Sequence, residues 1–291
     1  MGKNRSPRVL AVSLGLLAVL VSAGLTACEP PVADTYVAIG DSYTAGPLIL
    51  DQSLEPLGCL RSNRNYPRIA RAKIKAAKFV DVSCSGATTT HFANQQGVTP
   101  GPNAPQFNVL NANTKILTIG IGGNDIGFSS IVKNCASLDP FSSGCKGDYV
   151  TGGRDLLAEK IAATAPKIDQ VLVEAKKRAP NAKIFLIGYP TILPETGSGC
   201  WPTVPIVGTD VVYLRGVAKN LNAMLQARAA ANGVYYVDTA TSSIGHDMCS
   251  SSKWVEAIVP TTDAAPVHPN AKGMANTGNV VAASINAVVT S

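Results

Sequence analysis

Short apolar runs that end on glycine, cysteine or aspartate recur along the chain. Thr35-Tyr36-Val37-Ala38-Ile39 leads to Gly40, Phe79-Val80-Asp81-Val82-Ser83 to Cys84, and Lys115-Ile116-Leu117-Thr118-Ile119 to Gly120. Lys183-Ile184-Phe185-Leu186-Ile187 leads to Gly188, and Val234-Tyr235-Tyr236-Val237 to Asp238. These runs are too short for helices and rich in aliphatic, β-branched and aromatic side chains, which marks strands buried on both faces. Between them the hydrophobic period changes to that of a helix. The pattern predicts a helix over 67–77 with a basic outer face. A second runs over 153–178, with Leu157, Ile161, Ile168, Leu172 and Ala175 on one face and a kink at Pro166. A third covers 211–231, with Leu214, Val217, Leu221 and Leu225 in register, and an alanine-rich tail over 271–289 closes the chain. Strand and helix alternate, so the expected class is α/β: three α/β/α layers around a central, mostly parallel, five-stranded sheet.

Two segments interrupt the alternation. Residues 91–113 carry Pro100, Pro102 and Pro105, and residues 189–210 carry Pro190, Pro194, Pro202 and Pro205. Loops of this length are functional or tethered as a rule. The second holds Cys200, Trp201 and Ile206 and suits the wall of a substrate cleft. Trp201 and Trp254 themselves read as packing anchors.

The N-terminal pattern is of another kind. Lys3, Arg5 and Arg8 precede the apolar stretch Val9–Val21, which falls short of the about 20 residues a membrane span needs and fits a secretory leader. The leader ends in Leu25-Thr26-Ala27-Cys28, which resembles a bacterial lipobox, so residues 1–28 are expected to be a signal peptide with Cys28 as the lipidation site. Residues 29–34, with Pro30 and Pro31, form a short tether, and 35–291 a single domain. The expected location is therefore the outer face of the cell membrane, through the Cys28 lipid anchor alone, or the medium.

Composition narrows the picture further. Apolar residues make up 46% and charged residues 15%, which excludes a disordered chain. The net charge of +6 owes part of its size to the leader, and no basic stripe points to nucleic acid. With Cys28 set aside, six cysteines remain: Cys59, Cys84, Cys135, Cys145, Cys200 and Cys249. An even set in an exported chain reads as disulfides, although spacing alone leaves their pairing open. No C-x-x-C or His/Cys set has metal-site spacing, so neither metal nor cofactor is expected.

Ligands of an open parallel sheet bind beyond the carboxyl ends of its strands. The first strand is followed by Gly40-Asp41-Ser42-Tyr43, the second by Cys84-Ser85-Gly86, and the third by Gly122-Gly123-Asn124-Asp125. Val267-His268-Pro269 stands just before the last helix. A serine at a strand-to-helix turn, a histidine base and backbone or amide donors are the ingredients of acyl transfer. Ser42 has the alternative role of helix N-cap, Gly86 that of a turn glycine and Asn124 that of a loop residue. Asp41 and Asp125 are read as structural, the latter fixing its own loop. His91 and His246 are rivals to His268.

Taken in order, these blocks resemble those of the SGNH, or GDSL-type, serine hydrolases, and the six cysteines resemble those of secreted actinobacterial lipases and esterases in that family. The resemblance covers residue 36 to about residue 274. It implies a flavodoxin-like SGNH fold acting on an acyl ester, lipid esters included, and the chain is expected to be a monomer. Ser42 is then the nucleophile, His268 the base, and the Ser42 N–H, Gly86 and Asn124 the oxyanion hole. It also implies the disulfides Cys59–Cys84, Cys135–Cys145 and Cys200–Cys249. The sequence departs from the family at the aspartate that often stands three residues before the histidine, because Ala265 occupies that position. The backbone carbonyl of Ala265 is the expected acceptor for the imidazole, with Asp263 second and Asp238 and Asp247 behind it. Two other functions compete: a deacetylase of envelope polysaccharide, and a non-catalytic binding lipoprotein on the same scaffold. The lipase signature Gly-x-Ser-x-Gly is absent, which argues against the α/β-hydrolase fold.

Overall fold

A computed structural model describes residues 1–2 and 35–289. The expected leader, apart from its first two residues, the Cys28 lipidation site and the 29–34 tether lie outside the described residues. The elements run β1 (Thr35–Gly40), α1 (Ser42–Ala45), α2 (Tyr66–Ile74), β2 (Lys78–Asp81), β3 (Thr114–Gly120), α3 (Gly123–Ile126) and α4 (Phe128–Asn134). They continue with α5 (Lys146–Tyr149), β4 (Val150–Thr151), β5 (Arg154–Asp155), α6 (Leu156–Arg178), β6 (Lys183–Ile187), α7 (Gly208–Ala231), β7 (Tyr235–Val237) and α8 (Ala271–Val289). Every expected main strand and helix is present. Among the described residues, the β4–β5 hairpin, α4 and the single-turn helices α1, α3 and α5 carry no signature in the hydrophobic pattern.

The five main strands form one sheet in the order β2-β1-β3-β6-β7, and every pair is parallel. Alternation along β1 shows why both faces are covered. Tyr36 and Ala38 join Phe185, Val281 and Ile285 under α2 and α8, while Val37 and Ile39 join Leu172, Leu214 and Leu225 under α6 and α7. α6 runs without interruption through Pro166, with Asp155 capping its first turn at Leu157 and Ala158 N–H. α2 stops at Ile74, where Lys75 turns left-handed at φ 55°.

Strand order reverses between β1 and β3: the chain moves outward to β2 on one side and to β6 and β7 on the other. A crevice opens at such a reversal, beyond the carboxyl ends of the two central strands. Gly40 closes β1 there because nothing larger fits: a Cβ would stand 2.3 Å from Thr44 Oγ1 and 2.6 Å from the Gly120 carbonyl. The fully buried Gln106, from the proline-rich 91–113 loop, serves as a surrogate strand at this point. Its Oε1 accepts the Gly40 N–H at 2.7 Å and its Nε2 donates to the Gly40 carbonyl at 3.0 Å. The six domain cysteines are joined as Cys59–Cys84, Cys135–Cys145 and Cys200–Cys249.

Replacing Gln106 by Leu strands a buried backbone N–H. The expected loss is about 1–3 kcal/mol in urea unfolding, with the denaturant slope unchanged.

Candidate active site

Ser42 begins α1, one residue past β1. The N-cap role falls to Asp41, whose Oδ1 accepts the Tyr43 N–H at 2.9 Å, so the Ser42 hydroxyl is free of that duty. The hydroxyl instead meets His268 Nε2 at 2.8 Å, and both residues are buried. His268 Nδ1 lies 2.7 Å from the carbonyl oxygen of Pro266. A carbonyl only accepts, so Nδ1 carries the proton and Nε2 presents its lone pair to the serine hydroxyl.

The expected acceptor, the Ala265 carbonyl, is displaced by one residue. Ala265 O takes the His268 backbone N–H at 3.2 Å. Val267 sits at φ 63°, and this left-handed residue between Pro266 and His268 turns the proline carbonyl under the ring. Asp263 is exposed, Asp238 caps the turn at Ala240 and Thr241, and Asp247 accepts the Cys249 N–H. None of these carboxylates bonds the imidazole.

Two side chains that the hydrophobic pattern does not reveal hold this geometry. The fully buried Glu256 accepts from Thr261 N–H at 2.7 Å, Thr262 Oγ1 at 2.8 Å and Asn270 Nδ2 at 2.8 Å, while its backbone N–H donates to His268 O at 2.9 Å. Burial pushes the Glu256 carboxyl up, but these hydrogen bonds outweigh it and hold the group below its usual range. A lone acid inside the apolar run Trp254–Val259 was the signal available. The second is Tyr189, just past β6. Its hydroxyl accepts the Gly123 N–H at 2.7 Å and donates to Asp41 Oδ2 at 2.5 Å, joining the serine turn to the asparagine turn. Burial raises the Asp41 carboxyl to about 7, against the Tyr189 and Tyr43 hydrogen bonds. Tyr43 completes the frame: its hydroxyl donates to Val267 O at 2.6 Å and its ring lies 5.0 Å from that of His268.

Asn124 Nδ2 donates to Ala87 O at 2.8 Å, which leaves the second amide hydrogen for the crevice. Gly86 adopts φ 79°, and the N–H groups on either side of it are taken, Ser85 by Cys59 O and Ala87 by Cys84 O. The Gly86 N–H makes neither bond. Asp125 reaches beyond its own loop, accepting Thr89 N–H at 3.0 Å and Thr89 Oγ1 at 2.6 Å. His91 and His246 stand apart from Ser42: His91 Nδ1 accepts the Thr88 N–H, and His246 stacks on Trp254 at 3.6 Å.

A small, mostly apolar cavity opens beside the serine, lined by Ser42, Asn124, Phe128, Tyr189, Ile192 and Leu221 among others. From the 189–210 segment only Tyr189 and Ile192 reach it. Trp201 instead bonds Ser137 O through its indole N–H, and Ile206 is buried against Ala136. Gly86 does not line the cavity; its link to the crevice runs through the Asn124–Ala87 bond. Among the described residues, Cys135, Cys145 and Asp210 bring ligand atoms close together. Both sulfurs are spent in a disulfide and Asp210 accepts the Cys145 and Lys146 N–H groups, so the cluster ties a loop to α7.

Comparison with known proteins points to one family. The model of the GDSL-like lipase/acylhydrolase family matches residues 38–275. The chain is 37% identical over 246 residues to Lipase 2 of Streptomyces coelicolor, covering 82% of this chain and 81% of that protein. The crystal structure of phospholipase A1 from Streptomyces albidoflavus superposes with a TM-score of 0.72 at 27% identity, over 87% of this chain and 99% of the other. The extracellular lipase of Streptomyces rimosus gives 0.71 at 27% identity over the same shares.

Tyr189→Phe removes the acceptor of a buried N–H and a donor to Asp41 together. It is expected to cost about 1–3 kcal/mol by urea unfolding and to lower kcat more than it raises KM.

Proposed function

The chain belongs to the GDSL-like lipase/acylhydrolase family and is a carboxylic ester hydrolase; from that premise, we propose that it works through Ser42 and His268 by way of an acyl-enzyme. The observation that carries this reading is the 2.8 Å contact between Ser42 Oγ and an imidazole whose other nitrogen is held on a carbonyl.

In the first half-reaction the Ser42 oxygen attacks the ester carbonyl carbon while its proton passes to His268 Nε2. The imidazolium remains bound to Pro266 O, which stabilises it without taking the proton. The negative oxygen of the tetrahedral intermediate is met by the Ser42 N–H at the head of α1, the Gly86 N–H and the Asn124 amide. As the intermediate collapses, the carbon–alkoxide bond breaks and Nε2 returns its proton to the leaving oxygen. Water then repeats the sequence on the Ser42 ester, releasing the acid and restoring the serine hydroxyl.

The apolar lining of the cavity beside Ser42 suits an acyl chain and therefore a lipid-type or aliphatic ester. Export rests on three supports: the leader pattern ending at Cys28, the three disulfides, which suit an oxidising compartment, and the extracellular lipase to which the fold is similar.

Ser42→Ala is expected to reduce p-nitrophenyl butyrate hydrolysis at least about a thousand-fold with the melting temperature preserved. A fluorophosphonate should label the native protein at Ser42, and labelling elsewhere, or none, defeats the proposal. A second prediction concerns pH. Burial lowers the pKa of His268 from its ordinary value, the Pro266 carbonyl opposes this, and the charge of Lys133 lowers it further. The base works when neutral, so kcat/KM should rise with pH through an ionisation of His268 centred below pH ~6.5. Lys133→Ala removes a positive neighbour and should move that acid limb to higher pH, measured on a short ester at constant ionic strength.

A further inference from the structure

Two cavities share part of their lining. The apolar one beside the serine includes Ile192 and Ala218 in its lining. A larger, open groove is lined by the same two residues, together with Glu195, Arg215, Lys219 and Asp238. Ile192 and Ala218 therefore border both spaces.

The backbone around that shared lining is held at both edges. Asn222 of α7 clamps the 189–193 segment, its Oδ1 accepting the Tyr189 N–H at 2.9 Å and its Nδ2 donating to Tyr189 O at 2.8 Å. Thr191 N–H donates to Ser243 Oγ at 2.8 Å and Thr191 Oγ1 to Ala240 O at 3.0 Å. The Ile192 carbonyl accepts the Met248 N–H at 3.1 Å, next to the Cys200–Cys249 bridge. The chemistry on the two sides differs. The serine side is apolar, whereas the groove carries the Glu195–Lys219 ion pair at 2.6 Å and Arg215 bound to Gly197 O at 2.6 Å. The second space also presents Leu193, Ala223 and Ile244, so a hydrocarbon chain finds apolar surface there once the wall is opened, and the intact wall keeps it out.

We propose that Ile192 and Ala218 form the end wall of the acyl pocket and determine chain-length specificity, stopping the acyl chain before the charged groove and favouring short and medium acyl esters. This rests on Ser42 being the nucleophile and on the apolar cavity holding the acyl group. Ile192 is nearly fully buried and branched, so trimming it opens the wall; Ala218 carries a single methyl, so enlarging it shortens the pocket.

The experiment measures kcat/KM for p-nitrophenyl acetate, butyrate, octanoate and laurate with the native protein, Ile192→Ala, Ile192→Val and Ala218→Leu. A pocket contact of one methylene discriminates about ten-fold or more. The native profile should peak at butyrate or octanoate. Ile192→Ala should raise the laurate-to-butyrate ratio about ten-fold, and Ala218→Leu should lower the octanoate-to-acetate ratio by a similar factor. Should Ile192→Ala fail to fold, Ile192→Val is the milder opening and must shift the same ratio upward. Labelling of each variant by a small fluorophosphonate separates the two levels of the argument. A native protein that does not label loses the serine mechanism itself. Variants that label but keep both ratios within two-fold of native overturn the end wall and leave the mechanism standing. A native profile that peaks at laurate also overturns it.

Discussion

Everything at the site depends on a hydroxyl and an imidazole held in contact across 226 residues of chain. The contact is useful only because the histidine is held in one tautomer. The Pro266 carbonyl fixes the proton on Nδ1 from a distance of 2.7 Å, and no carboxylate takes part. A carbonyl dipole stabilises a forming imidazolium less than a full negative charge does, but it places no second ionisable group in the crevice. The backbone that supplies it is strained into the left-handed region at Val267, and such strain persists only where the surroundings over-determine it. Glu256 provides that surrounding, because its carboxylate and backbone hold both ends of the loop that carries His268.

The serine side is governed by the same logic of full occupation. Asp41 takes the helix cap, Tyr189 ties Asp41 to the turn carrying Asn124, and Gln106 pairs with the last residue of β1. Each is a buried polar group bonded to backbone, and together they leave few ways for the turn to move. Buried polar networks rigidify a site only when every member is satisfied. The sheet contributes the location. Its order reverses between β1 and β3, so the turns that follow those two strands flank one crevice, and Ser42 and Asn124 face the same space.

Burial also sets the electrostatics. It lowers the basicity of His268 and raises the Asp41 carboxyl to about 7 in the turn that carries Ser42. The disulfides act at the edges of this arrangement. Cys59–Cys84 braces the turn that presents Gly86, and Cys200–Cys249 lies beside the segment carrying Ile192.

Legibility from the chain followed the range of the forces involved. The five strands, the four long helices and the layered α/β class were readable because burial of a whole face imposes a periodic pattern on consecutive residues. Ser42, Asn124 and His268 were readable because each sits in a short block at the end of a strand or ahead of a helix, where local backbone demands glycine and polar partners. Tyr189, Gln106 and Glu256 were not, since each owes its role to one hydrogen bond or a few with residues distant in sequence or hidden in a loop, and no local preference encodes them. The choice between the carbonyls of Ala265 and Pro266 turned on a single positive φ, which spacing cannot foresee. So the sequence by itself determined the fold class and the short blocks that carry Ser42, Asn124 and His268. Tertiary structure alone decided which carbonyl accepts from the imidazole and which side chains line the cavity beside Ser42, because these depend on distances between segments that meet only after the sheet has formed.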